Sequence, residues 1–427
     1  MLAVAGLLTI IGVLIAIMSK RLTPLVALIA IPALAAIAIG QARSLPSYMV
    51  DGISTIAPVA VMFMFAILFF GIMNDAGVFR PFINFTLKVC GSDPRKLFIG
   101  VVVITALVHL DGSGASTFLI VIPAVLPLFD EMQIDRRILA CLVAMSAGVN
   151  NMLPWGGPTI RAAAALDIPV MELYQPLLPV HIAGFLFVVA TAYWLGTKEK
   201  RRLAGANRSL NSSFECVATS QSKITWTLNV ALIVIVIGSI IFSLLPPVVA
   251  FIGGSLLALL INHSSVEKQK QCIDNHAKPA FMMVSILFAA GCFTGILRHS
   301  GMLDAMAQGG SGLLPSLLVT HLPFFVALIA MPLSLLFDPD SFYFGIMPVL
   351  SGIAVDSGGA AQSVAHGALL GQMTTGFPVS PLTPATFLLI GLTRIGLADH
   401  QRFSIPYLYA CSLFMTFIAV LTGVISL

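Results

Sequence analysis

The sequence predicts an all-α polytopic membrane protein built as an inverted repeat, with about ten transmembrane crossings, two re-entrant hairpins and two broken helices. Three observations carry that reading. Of the 427 residues, 58% are hydrophobic and 9% charged, with a mean hydropathy of +1.00, whereas soluble domains carry about 25% charged residues. Apolar runs of about 20 residues, the length that crosses a bilayer, recur along the whole chain. The two halves also match each other: AILFFGIMNDAGVF from Ala66 aligns without gaps on AGCFTGILRHSGML from Ala290, and Asp111, Pro154 and Thr159 match Asp338, Pro381 and Thr386 at one shared offset.

Simple spans fall near residues 2–18, 23–40, 57–75 and 175–196, then near 226–245, 247–262, 280–297 and 404–426. Residues 98–128 and 318–353 are too long for one crossing and too short for two, and each has a polar knot with Gly or Pro at its middle. They read as re-entrant hairpins. Residues 137–168 and 362–396 are interrupted by Pro and Gly rather than by a charged loop, and read as broken helices. The first repeat then covers 1–196 and the second 226–427, joined by a flexible Ser/Asn-rich linker over 197–225.

With Lys20 and Arg21 placed inside, all of the 22 Lys and Arg except Arg43, Arg161 and Arg298 fall on the cytoplasmic side. That agrees with the positive-inside rule and puts both termini outside a bacterial inner membrane. The first apolar run begins at Leu2 and its positive charges follow it, so it reads as a retained helix and not as a cleavable signal. The net charge of +4 is dispersed, which argues for a lipid bilayer and against nucleic acid as partner. The six cysteines form no CxxC pair and no Cys/His metal pattern, and read as packing thiols.

The chemistry concentrates in four interruptions. The first hairpin tip, HLDGSGAST from His109, offers Asp111, the hydroxyls of Ser113, Ser116 and Thr117, and backbone made approachable by Gly114. Backbone left unpaired at this depth is tolerated where it lines a cavity, and an ionisable group there is a functional candidate. The second tip, LFDPDSFYFG from Leu336, sets Asp338 and Asp340 two apart, with Ser341 beside them. Both carboxylates ionise cheaply in a dry site only if a cation or proton neutralises one. Metal or proton handling is therefore assigned to Asp111, Asp338 and Asp340.

The broken helices carry Asn150, Asn151, Gly156, Gly157, Thr159 and Arg161 in the first and Ser380, Thr383 and Thr386 in the second. Half-helix N-termini favour anions, the hydroxyls and amides can bind carboxylates, and Arg161 can serve as a fixed cation or snorkel outward beside Asp167. His109 and His366 are weak candidates for a proton relay, since imidazole titrates near pH 6.5. The other histidines, His276 among them, lie in or near interfaces or loops and carry no weight.

These blocks resemble the citrate–metal–proton symporters of the ion-transporter superfamily. SKRLTPLVALIAIP from Ser19, FAILFFGIMNDAGVF from Phe65, LDGSGAST from Leu110, MSAGVNNMLPWGGPTIRAA from Met145, FYFGIMP from Phe342 and ADHQRF from Ala398 carry the resemblance. It implies proton-driven uptake of citrate, or a close tricarboxylate, complexed with a divalent cation, Mg2+ or Ca2+ first, with no permanently bound cofactor. It also implies a homodimer with an elevator-like movement of the hairpin-bearing domain. The family pattern has a second acidic residue in the first tip, like DGDG, where this chain has Ser113; that difference bears on metal preference and proton stoichiometry.

The alternative on the same scaffold is a sodium- or proton-coupled di- or tricarboxylate carrier without metal, or a sodium/proton antiporter. An enzyme is not expected. An intramembrane aspartyl protease would need a GxGD pattern, and no Gly-Asp dipeptide occurs. No Walker-type nucleotide motif is present either.

Overall fold

The computed structural model describes residues 1–19, 21–90, 93–204, 222–311 and 315–426. Lys20 and most of the expected linker, with Cys216, lie outside the described residues. The described chain is helical throughout, and six of its helices are long and apolar enough to cross a membrane.

The first half opens with α1 (Leu2–Met18) and α2 (Pro24–Ala38), the latter started by Thr23, whose hydroxyl accepts from the Val26 N–H, and by Pro24 in the first turn. Next come α3 (Leu45–Asp75), the short α4 (Arg80–Cys90), and a hairpin of α5 (Pro94–Val108) and α6 (Gly114–Glu131). A broken helix follows as α7 (Arg136–Asn150) and α8 (Gly157–Leu166), then α9 (Val170–Tyr174) and α10 (Leu178–Ala204).

The second half runs through the same order. It has α11 (Lys223–Ile241), α12 (Pro247–Asn262), α13 (Val266–His299), α14 (Met302–Ser311) and α15 (Ser316–Thr320). Its hairpin is α16 (Leu322–Leu333) and α17 (Met347–Asp356), its broken helix α18 (Ala361–Leu369) and α19 (Pro384–Thr393), and α20 (Leu397–Leu421) closes the chain.

The long helices α3 and α13 extend well beyond their apolar windows at 57–75 and 280–297. Each starts with polar turns, Ser47 and Asp51 in one and Lys268 and Asp274 in the other. Backbone bonds continue there while water solvates the side chains, so hydropathy alone misplaces the start. The two helices cross at glycines: a Cβ on Gly52 would lie 2.0 Å from the Gly291 carbonyl oxygen, and one on Gly295 2.4 Å from that of Tyr48.

Around this pair pack α2 and α12, with α1 on α2 and α11 on α12, while α5, α7, α10, α16, α18 and α20 pack mainly among themselves. Outward-facing apolar residues such as Leu8, Leu34, Val234, Ile235 and Phe281 are exposed, as a lipid-facing belt requires. The hairpins and breaks meet between these groups.

Candidate substrate and ion site

The first tip is built by its own carboxylate. Helix α5 ends in a 3-10 turn, His109–Asp111, and Gly112 turns the chain at φ +68°. A Cβ there would be strained, and it would stand 3.2 Å from the Trp155 carbonyl oxygen. Asp111 accepts from the Ser113 N–H at 2.8 Å and from the Ser116 hydroxyl, so it organises the first turn of α6. Trp155, from the first break, packs against Phe70 and Phe251 and donates its indole N–H to the Leu110 carbonyl at 2.7 Å. The PWGG block thereby fixes the tip from behind.

The second tip repeats the device. Asp338 accepts from the Asp340 N–H at 3.0 Å, the Ser341 N–H at 3.1 Å and the Ser341 hydroxyl at 2.5 Å. A π-helical stretch, Ser341–Ile346, leads from it into α17.

Arg161 on α8 reaches across to Asp340, Nε to Oδ1 at 2.7 Å, with both side chains under a tenth exposed. It also donates to the Gly157 carbonyl. The cation that the Asp338–Asp340 pair requires is thus supplied from within the chain, and Arg161 does not snorkel toward Asp167. Asp167 pairs instead with Arg298 at 3.0 Å.

The breaks hold each other in register. Asn151 donates to the Met373 carbonyl at 2.6 Å, tying the first break to the second. Asn150 donates to Ser146 within α7, and Thr159 to the Met152 carbonyl. In the second break Ser380 donates to the Ser334 carbonyl at 2.5 Å, and Thr383 and Thr386 both donate to Phe377.

A cavity of about 460 Å³ joins these parts. Among the predicted residues it is lined by Asp111, Ser113, Gly114, Ser116, Asn151, Gly157, Arg161 and Thr383. The N-termini of α6, α8 and α19 border it, so their free N–H groups favour an anion there. Asp111 is the one acidic side chain among its described lining residues. A single carboxylate with hydroxyls beside it can hold a hard divalent ion whose remaining ligands come from a substrate and water.

Thr117, Asn150, Gly156, Thr159, Ser341, Ser380, Thr386, Asp338 and Asp340 stand behind that surface, where the bonds above engage most of them. Neither His109 nor His366 borders the cavity: His109 pairs with the Thr117 hydroxyl at 2.8 Å, and His366 with the Leu173 carbonyl at 3.0 Å.

The mouth lies among residues that the sequence does not mark. Asn74, near the end of α3, and His276, Pro279 and Met283, between the start and the middle of α13, line the cavity there. There His276 pairs with Asp75 at 2.8 Å, and Cys272 is close to both. Cys272 and His276 are one turn apart on α13, a spacing the sequence offers but does not single out.

A family model described as a citrate transporter, CitMHS, matches residues 13–371. The chain belongs to this citrate transporter family. It is a multi-pass membrane transporter and not an enzyme. A protein of Bacillus subtilis strain 168 named citrate transporter is 39% identical over 428 aligned positions, covering all of both chains. The Mg(2+)/citrate complex secondary transporter of the same organism is 36% identical over 433 positions, again across all of both. Among solved structures, the YdaH transporter of Alcanivorax borkumensis matches with a TM-score of 0.66 at 15% identity, over 90% of this chain and 88% of that one. At that identity the likeness is one of fold alone.

Proposed function

We propose that this transporter imports citrate, or a close tricarboxylate, as a complex with a divalent metal ion and in symport with protons. The observation that carries the reading is the cavity itself, where one carboxylate, Asp111, faces three helix N-termini and a guanidinium already engaged by an internal carboxylate. Two full-length relatives, one named for citrate and one for the Mg2+–citrate complex, support the substrate. Citrate is a trianion near neutral pH, and a divalent ion reduces it to about one negative charge, which lowers the cost of desolvation at mid-membrane depth. Asp111, with Ser113 and Ser116, takes the metal side; Asn151, through its second amide hydrogen, and the α8 and α19 N-termini take carboxylates.

Coupling follows from Arg161. A citrate carboxylate and Asp340 compete for one guanidinium. When citrate takes it, Asp340 is left in a buried place without its cation, where a proton neutralises it most cheaply. Release reverses both exchanges. The repeats divide at the 197–225 linker, and the chain lies in a bacterial inner membrane with both termini outside. In that orientation the cavity opens to the cytoplasm. The group containing α5, α7, α16 and α18 moves against the α3–α13 group in a homodimer.

The test is citrate uptake into proteoliposomes under an imposed proton gradient. The reading expects uptake that needs a divalent ion, stops with EDTA and collapses with a protonophore. Metal-independent or sodium-dependent uptake would replace it with the carrier alternative.

A further inference from the structure

We propose that Asp75, Cys272 and His276 form a binding site for a borderline-soft divalent ion of the Zn2+ class at the cavity mouth, separate from the metal that accompanies the substrate. Asp75 ends α3, and Cys272 and His276 share one face of α13, so the site spans two helices packed along their length. One ligand atom from each lies within 4.8 Å of the other two. With metal–ligand bonds of about 2.0–2.3 Å, a tetrahedral site sets such atoms roughly 3.4–3.6 Å apart, inside the spread observed here.

The donor set decides the ion. One thiolate, one imidazole and one carboxylate suit Zn2+ or Co2+ and not Mg2+ or Ca2+, which take oxygen ligands. A carboxylate and a thiolate balance the charge of the ion. On binding, the Cys272 S–H bond breaks, the sulfur–metal bond forms, and the proton leaves to solvent; the hydrogen on the His276 nitrogen that faces Asp75 moves to the other ring nitrogen, which frees a nitrogen lone pair and a carboxylate oxygen for the ion.

Local shape fits this assignment. Cys272 is buried, while His276 and Asp75 are 18% and 44% exposed in their side chains, which leaves one side open for a water ligand. The imidazole lies over Gly71, where a Cβ would come within 2.6 Å of the ring. An ion held there stands beside the only histidine lining the cavity among its described residues.

The experiment titrates Co2+ into the full-length protein, purified in detergent without citrate, and follows thiolate-to-cobalt charge-transfer absorption. One equivalent should produce the band. Cys272→Ser should abolish it, Cys411→Ser should retain it, and Gly71→Ala, which displaces the imidazole, should weaken Co2+ binding at least tenfold. Thermal unfolding without metal identifies any variant that fails to fold. No band in the wild-type protein, or an unchanged band in a folded Cys272→Ser variant, overturns the assignment. Citrate takes no part in the readout, so the result is independent of the transport reading.

Discussion

The Arg161–Asp340 pair carries the proposed coupling, and Asp340→Asn tests it with little change of shape. The charged atoms are 2.7 Å apart and both side chains are nearly inaccessible. At an effective dielectric constant of about 20, unit charges roughly 4 Å apart attract by about 4 kcal/mol. Breaking buried pairs from one side costs about 3–5 kcal/mol. Asparagine still accepts a hydrogen bond from Nε, so the lower end of that range is expected, read as a lower unfolding temperature in detergent.

In the transport cycle the same term has the opposite sign. Citrate no longer displaces a carboxylate from Arg161, so its binding should tighten, by up to about a hundredfold for 2.7 kcal/mol. With no carboxylate to take the proton, an imposed proton gradient should no longer drive accumulation, while citrate/citrate exchange persists. The assay compares exchange with gradient-driven uptake in the same vesicles. Asp340→Asn vesicles that accumulate citrate against its gradient as the wild type does would refute the reasoning. In the double variant Arg161→Gln/Asp340→Asn, stability should recover toward wild type without recovery of uptake, because no buried charge is left unpaired.

Asp111→Asn keeps one acceptor oxygen at the tip but removes the cavity's carboxylate, so apparent affinity for the metal complex should fall at least roughly tenfold, about 1.4 kcal/mol, while the weakened bonds from Ser113 and Ser116, each about 1.5–3 kcal/mol to a charged acceptor, should lower thermal stability by part of that amount. Gly52→Ala should do the reverse, since its Cβ meets the Gly291 carbonyl: a stability loss of about 1–3 kcal/mol by thermal unfolding, with KM unchanged for the folded fraction. At the base of the first hairpin, outside the membrane span, hydrogen bonding from the Arg95 guanidinium, with help from the Lys200 ammonium, holds the Asp93 carboxyl well below the usual range. A depressed carboxylate stabilises the fold above its unfolded value, near 3.9, and that contribution is lost as pH falls through the folded value. Asp93→Asn, which preserves the helix cap, should therefore lower the unfolding temperature at pH 7, and the gap from wild type should close in acid.

The interruptions were legible because a membrane permits few of them. Proline, glycine and charge inside an apolar run mark the places where backbone bonds are released, and the hairpins and breaks expected near Asp111, Asp338, Pro154 and Pro381 lie within those segments. The starts of α3 and α13, and the short helices α4 and α14, were not legible, because interfacial helices are paid for by solvation and packing that a hydropathy window does not register. Partner choice was hidden as well. Arg161 could be ranked as a deep cation from its own neighbours, but its pairing with Asp340 depends on docking α8 against the second tip, 179 residues away. Asp75 and His276 meet across 201 residues, and only the Cys272–His276 spacing gave a local trace of that group.

Whether the ion travels with the carboxylate is the central claim, and it is measured most directly by double-label uptake: radioactive citrate and a radioactive divalent ion counted in the same proteoliposomes under an imposed proton gradient. Both labels should enter with one time course at one ion per citrate, and neither without the other. Citrate entering at full rate with the ion chelated, or ion entry without citrate, would contradict it.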